Sequence, residues 1–185
     1  MEPVDQAAEL TWTSPLVDIK VPFEWYRYQG EWNSGSCADV NCGPTAVAMA
    51  IQFADNNRWV PIGDIRDQMT GGVCGWTDLD HVRGALDHWG IKHASITGMD
   101  AVRAAVNERG HIVIVPVWMS YIPPGSDYLL PYSSPSDRYN RYYEYGLGHF
   151  VVVKGITDDG DWVIVHDPNV WEDNGIYRYA DRSPK

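Results

Sequence analysis

The sequence predicts an α+β fold in which helices come first and an antiparallel sheet follows. Two observations carry this. Helical patterns occupy the stretch from Pro44 to Gly110, and strand patterns take over afterwards in "HIVIVPVWM", "HFVVVKGI" and "WVIVHDP". The last two strands flank "TDDGD", a turn composition, and together read as a hairpin. A length of 185 residues is enough for one domain with a real core. The expected organisation is a single domain over residues 1–185 with a Tyr/Pro-rich insertion at 120–146.

Each element has a local reason. "VDIKV" (Val17 to Val21) alternates apolar and polar residues up to Pro22, as a short strand does. "EWYRYQGEWNSGSCADVN" has no period and reads as loop. From Pro44 to about Ala54 the side chains are apolar almost all round, so this first helix should be buried on most faces. "PIGDIRDQM" is a short second helix. In "TDLDHVRGALDHWG", Thr77 is the expected N-cap, Leu79, Val82, Leu86 and Trp89 share a face, and Gly90 ends the helix. "MDAVRAAVNERG" is a further helix ended by Gly110, and "HIVIVPVWM" then reads as a buried strand.

A formal charge of −11 argues against nucleic acid, whose phosphates are bound through Lys and Arg. It also argues against an anionic membrane surface. No apolar run approaches the roughly 20 residues of a membrane span. "MEPVDQAAELTW" shows neither a basic start nor an apolar core of a signal peptide. A secreted or cell-surface location is favoured if such a peptide has been removed, and a cytoplasmic one otherwise. Cysteine usage leaves the same choice open. Cys37, Cys42 and Cys74 make an odd count, so two could pair around one working thiol, or none could pair. Cys37 and Cys74, both in Gly-rich loops flanking helices, are the candidates for pairing; two unrelated loop thiols are the alternative.

Cys42 stands directly before Gly43-Pro44. Proline is tolerated in the first helical turn, so Pro44 marks the helix start and puts Cys42 at or just before the N-cap. Unpaired N–H groups and the positive end of the helix dipole favour a thiolate there, and Gly43 leaves room beside the sulfur. The same N–H groups suit an oxyanion formed by attack at the sulfur. A small buried hydrophobe is the other use of such a cysteine. A thiolate nucleophile needs a base and a group that orients it. His81 and His88 lie on an Asp-rich helix and read as solvated, and His93 and His111 sit at strand starts without a motif. His149 opens the apolar "HFVVVKGI" after Gly146-Leu147-Gly148, and Asp167 ends "VIVHDP". A hairpin sets the start of one strand beside the end of the other, which makes His149 and Asp167 neighbours and turns His166 to the opposite face. Separately, each has a simpler use: a strand-edge histidine bonded to backbone, and an Asp-Pro turn.

"YQGEWNSGSCADVNCGPTAVAMA", "GHFVVVKGI" and "VIVHDPN" resemble signature blocks of papain-like cysteine peptidases of the bacteriocin-processing type. More closely, they are similar to the stand-alone relatives, the cysteine peptidase family 39-like domains. The resemblance runs from about Val21 to Asn169 and implies a papain-like fold, with N-terminal helices packed on an antiparallel sheet. It implies Cys42 as nucleophile, His149 as general base and acid, and Asp167 as the residue orienting His149. Gln29 matches the block that holds the family's oxyanion donor. Twelve residues separate it from Cys42, more than in the transporter-linked members, where Ser36 would be the equivalent position. With no transporter domain in the sequence, a double-glycine leader substrate does not carry over.

Three functions compete. The first is a cysteine peptidase acting on a peptide or protein through an acyl-thioenzyme, the second an acyltransferase or amidase using the same triad, and the third an inactive binding domain. No cofactor and no metal is expected: "TDDGDW" lacks full calcium-loop spacing, and Cys42 has no second thiolate close by. Seven of the eleven Tyr lie in the Ser120–Gly146 segment, which returns directly into His149, so it is expected to wall or cover the substrate cleft. Packing against the back of the sheet or a second copy is the alternative for it.

Overall fold

A computed structural model describes residues 25–55, 58–118, 148–156, 162–168 and 178–182. The strand expected at Val17–Val21, the Tyr/Pro-rich segment and the "TDDGD" turn lie outside the described residues. A 3-10 turn, Gly35–Val40, leads into α1 (Cys42–Ala54), then α2 (Ile62–Thr70) and α3 (Leu79–His88). After α3 comes α4 (Met99–Arg103), whose last turns widen into a π-helical segment, Ala104–Glu108. Four strands follow: β1 (Val113–Trp118), β2 (Gly148–Ile156), β3 (Trp162–His166) and β4 (Arg178–Arg182). They pair antiparallel in the order β1-β2-β3-β4. This is an α+β, papain-like fold, with helices packed against a small antiparallel sheet.

The all-round apolar pattern of α1 has its expected consequence: every residue from Cys42 to Gln52 is buried. The helix packs on α2, α3 and β2. Phe150 and Val152 of β2 join its core, while Val151 and Val153 join a second cluster with Val106 and Val165. Both faces of β2 are therefore covered, which is why "HFVVV" reads as a continuous apolar run rather than an alternating one. Burying an aliphatic side chain of this size is worth about 1.5–3 kcal/mol, so the packing of α1 on α2, α3 and β2 together supports the region around Cys42. A register shift between Val153 and Gly155 bulges β2 at Lys154.

Two sequence expectations need correction. The cap of α3 is Asp78, not Thr77. Asp78 accepts from the His81 backbone N–H at 2.9 Å, and the His81 ring reaches back to close a capping box. Leu79 is largely exposed, so the buried stripe is Val82, Ala85 and Leu86. Likewise β1 is half-buried rather than buried, with Pro116 and Trp118 exposed. It pairs with β2 alone among the described strands, a position that tolerates a proline without a ladder N–H.

Candidate active site

Cys42 is the first residue of α1, with Asn41 at the N-cap. Gly43 is closely packed: a Cβ there would overlap the Thr77 hydroxyl and press on Phe150 at 3.4 Å. The helix start is thus wedged between the loop before α3 and the start of β2. His149 is the second residue of β2 and is 4 % exposed. Asp167 directly follows β3 and is 2 % exposed. The β2–β3 register pairs Val152 with His166; continued by one residue it sets Asp167 opposite Val151, on the same face as His149. Their side chains meet, His149 Nε2 to Asp167 Oδ1 at 2.8 Å. Tyr26 holds the Asp167 backbone by donating its hydroxyl to the carbonyl at 2.9 Å. His166 faces the other way, stacked on Trp25 at 4.3 Å between ring centroids.

The structure therefore brings Cys42, His149 and Asp167 into one connected set. Burial disfavours the Cys42 thiolate. Its hydrogen bond with His149, the imidazolium charge, and the backbone N–H groups of Phe150 and Gly43 outweigh that cost and lower its pKa. Burial likewise opposes a charged His149, but Asp167, by charge and hydrogen bond, and then Cys42, raise its pKa to about 9. A thiolate–imidazolium pair is the state these shifts favour at neutral pH.

Gln29 is placed differently. Its backbone N–H donates to the Pro168 carbonyl at 2.7 Å, which ties it to the Asp167 turn. It is not among the residues lining the groove at Cys42. Ser36, its positional rival, is exposed and sits 3.9 Å from the Cys74 sulfur. Of the other histidines, His81 caps α3, His93 pairs with Asp87 at 3.0 Å, and His88 and His111 are exposed.

A groove of about 590 Å³ opens at Cys42 and His149. One wall is the loop and first turn carrying Trp76, Thr77, Asp78 and Leu79; the other is Val117, Trp118 and Gly148. Trp76 and Trp118 are each more than half exposed, which gives the groove aromatic rims. Cys37 and Cys74 form a disulfide, Cα to Cα 5.1 Å, leaving Cys42 as the free thiol. The bond ties the 3-10 turn before Cys42 to the loop that becomes the Trp76 wall. These wall residues are not legible as such in the sequence, because contacts between distant segments, such as Thr77 on Gly43, put their loop beside the cysteine.

A Peptidase C39 like family model matches residues 24–184, most of the chain. The protein belongs to the Peptidase C39 like family. Membership accounts for the fold and for the co-occurrence of the "CGPT" helix start with the "GHFVVV" and "HDPN" strands. Comparison with curated proteins and with solved structures yielded no match.

Proposed function

We propose that this member of the Peptidase C39 like family is a cysteine peptidase, a single catalytic domain hydrolysing peptide bonds in a peptide or protein through an acyl-thioenzyme on Cys42. The observation that carries the reading is the buried chain Cys42–His149–Asp167 at the floor of an open, aromatic-rimmed groove. Asp167 engages Nε2, which leaves Nδ1 of the same ring for the sulfur. The thiolate attacks the substrate carbonyl and the C–N bond breaks as His149 passes its proton to the leaving amine. Water then attacks the thioester, giving its proton to His149, and the C–S bond breaks to regenerate the thiolate. Asp167 orients the ring and stabilises its cationic form. The backbone N–H groups of the uncapped first turn of α1 are donors to the developing oxyanion, and Gln29 is the second candidate donor.

The test is cleavage of a peptide library by the wild type and by Cys42→Ala, with and without an added amine. Cysteine-dependent hydrolysis at a reproducible site supports the reading. Amide products in place of free acids would redirect it to acyl transfer. A wild type no more active than Cys42→Ala would refute it.

A further inference from the structure

Arg66 of α2 is 2 % exposed, at a position of the helix otherwise buried through Ile62, Ile65 and Met69. A buried guanidinium is costly, and none of the described carboxylates pairs with it. Its donors go elsewhere. Nε donates to Asn41 Oδ1 at 2.8 Å, Nη1 to the Gly75 carbonyl at 2.9 Å, and Nη2 to the Val40 carbonyl. These acceptors are the two residues directly before Cys42 and the residue directly before Trp76. One side chain thus ties the turn that presents the nucleophile to the loop that walls the groove.

The bond to Asn41 has a second effect. An asparagine at an N-cap ordinarily turns its side-chain oxygen onto the first-turn N–H groups. Asn41 makes no such cap: its Oδ1 is held by Arg66, and its Nδ2 donates to the Ser34 carbonyl at 2.8 Å. The first-turn donors are left uncapped by this side chain, and the backbone of Gly43 is among the groups that favour the Cys42 thiolate.

We propose that Arg66 is a positioning residue for Cys42, holding the uncapped helix start in place and supplying the buried positive charge that the thiolate answers. This rests on Cys42 being the nucleophile. The two charges also sense each other in the expected direction: burial disfavours the Arg66 cation, and a charged Cys42 favours it. His149 from β2 hydrogen-bonds Cys42, Arg66 from α2 is held on the two residues before it, and Asp78, Asp80 and Arg83 around the start of α3 line the same groove.

The experiment is the pH profile of iodoacetamide alkylation of Cys42 in oxidised protein, with turnover measured in parallel, for wild type, Arg66→Gln and Arg66→Lys. Gln removes the charge; Lys keeps it but carries its donors on one nitrogen and lacks the planar fork whose three nitrogens reach the three acceptors. The alkylation midpoint of Arg66→Gln should rise by about one pH unit, so that labelling below both midpoints slows about tenfold. Arg66→Lys should keep its midpoint within about 0.3 of the wild type yet lose at least about tenfold in kcat. A folded Arg66→Gln with the wild-type midpoint overturns the charge role, and an Arg66→Lys with wild-type kcat overturns the positioning role. Where Arg66→Gln does not fold, Arg66→Lys decides, and a midpoint about one unit higher in it counts against the proposal. A wild type whose Cys42 titrates as an ordinary thiol overturns both this and the peptidase reading, whereas a low wild-type midpoint unmoved in Arg66→Gln overturns this alone.

Discussion

Replacing Asp167 with Asn leaves the size of the side chain almost unchanged and removes one charge from a pair in which both side chains are 3 % exposed. In the wild type, burial acts against the imidazolium, and Asp167 is the first of the groups that reverse this and bring the His149 pKa from 6.5 to about 9. That change amounts to roughly 3 kcal/mol in favour of the protonated ring. Without the anion, burial remains, only Cys42 is left to oppose it, and the pKa falls. The direction for activity follows. His149 is raised, so the reactive pair survives up to about pH 9 and is lost above it; Cys42 is lowered, so the pair persists below the usual thiol range and is lost on further acidification. Each unit by which the ring's pKa drops below the assay pH cuts its protonated fraction, and with it the ion-pair population, about tenfold. Loss of ring orientation adds to this, for a total fall in kcat/KM of about 10² to 10⁴. The assay is kcat/KM for a fluorogenic peptide from pH 4.5 to 10, with circular dichroism to verify folding. A folded Asp167→Asn whose basic limb still lies near 9 would show that Asp167 does not set the charge of His149.

Three further outcomes are expected. Replacing Cys37 and Cys74 with Ser opens a loop with a sequence separation of 37, for which chain entropy gives a loss of up to about 4 kcal/mol. Urea unfolding measures this, and an unchanged midpoint would mean the loop is held without the bond. Gly43→Ala forces its Cβ onto Thr77 and should cost about 1–3 kcal/mol, with a drop in turnover as the Trp76 wall is displaced; wild-type stability and kcat in this variant would contradict the wedge. Trp118→Ala should raise KM several-fold and leave Cys42 alkylation unchanged, since Trp118 rims the groove without contacting the sulfur chemistry. Loss of alkylation in a folded variant would place Trp118 in the reactive centre instead.

Much of the frame was legible because its causes are local. The all-round apolar run fixes α1, and Gly90, expected to end α3, takes a positive φ of 72°. The hairpin of β2 and β3 follows from two apolar runs around a turn, and strand periodicity alone puts His149 and Asp167 on one face, with His166 on the other. The cap of α3 was misjudged by one residue because Thr77 and Asp78 are both good caps. Packing of Thr77 against Gly43 decides between them. The half-exposure of β1 depends on its neighbours in the sheet, which an apolar run does not specify.

Tertiary structure alone decided the rest. A cysteine before Gly-Pro states where a helix begins, but only the packing of α1 on β2 brings that start to His149. Cys37 and Cys74 were a possible pair until folding set their Cα atoms 5.1 Å apart. No local pattern in the sequence singles out Arg66 of α2. Its meaning comes from Val40, Asn41 and Gly75, which converge on it through the chain's return rather than through any local pattern. Helix and strand preferences act over a few residues and are written in order along the chain. Electrostatic and packing contacts between distant segments depend on distances that only the folded chain defines.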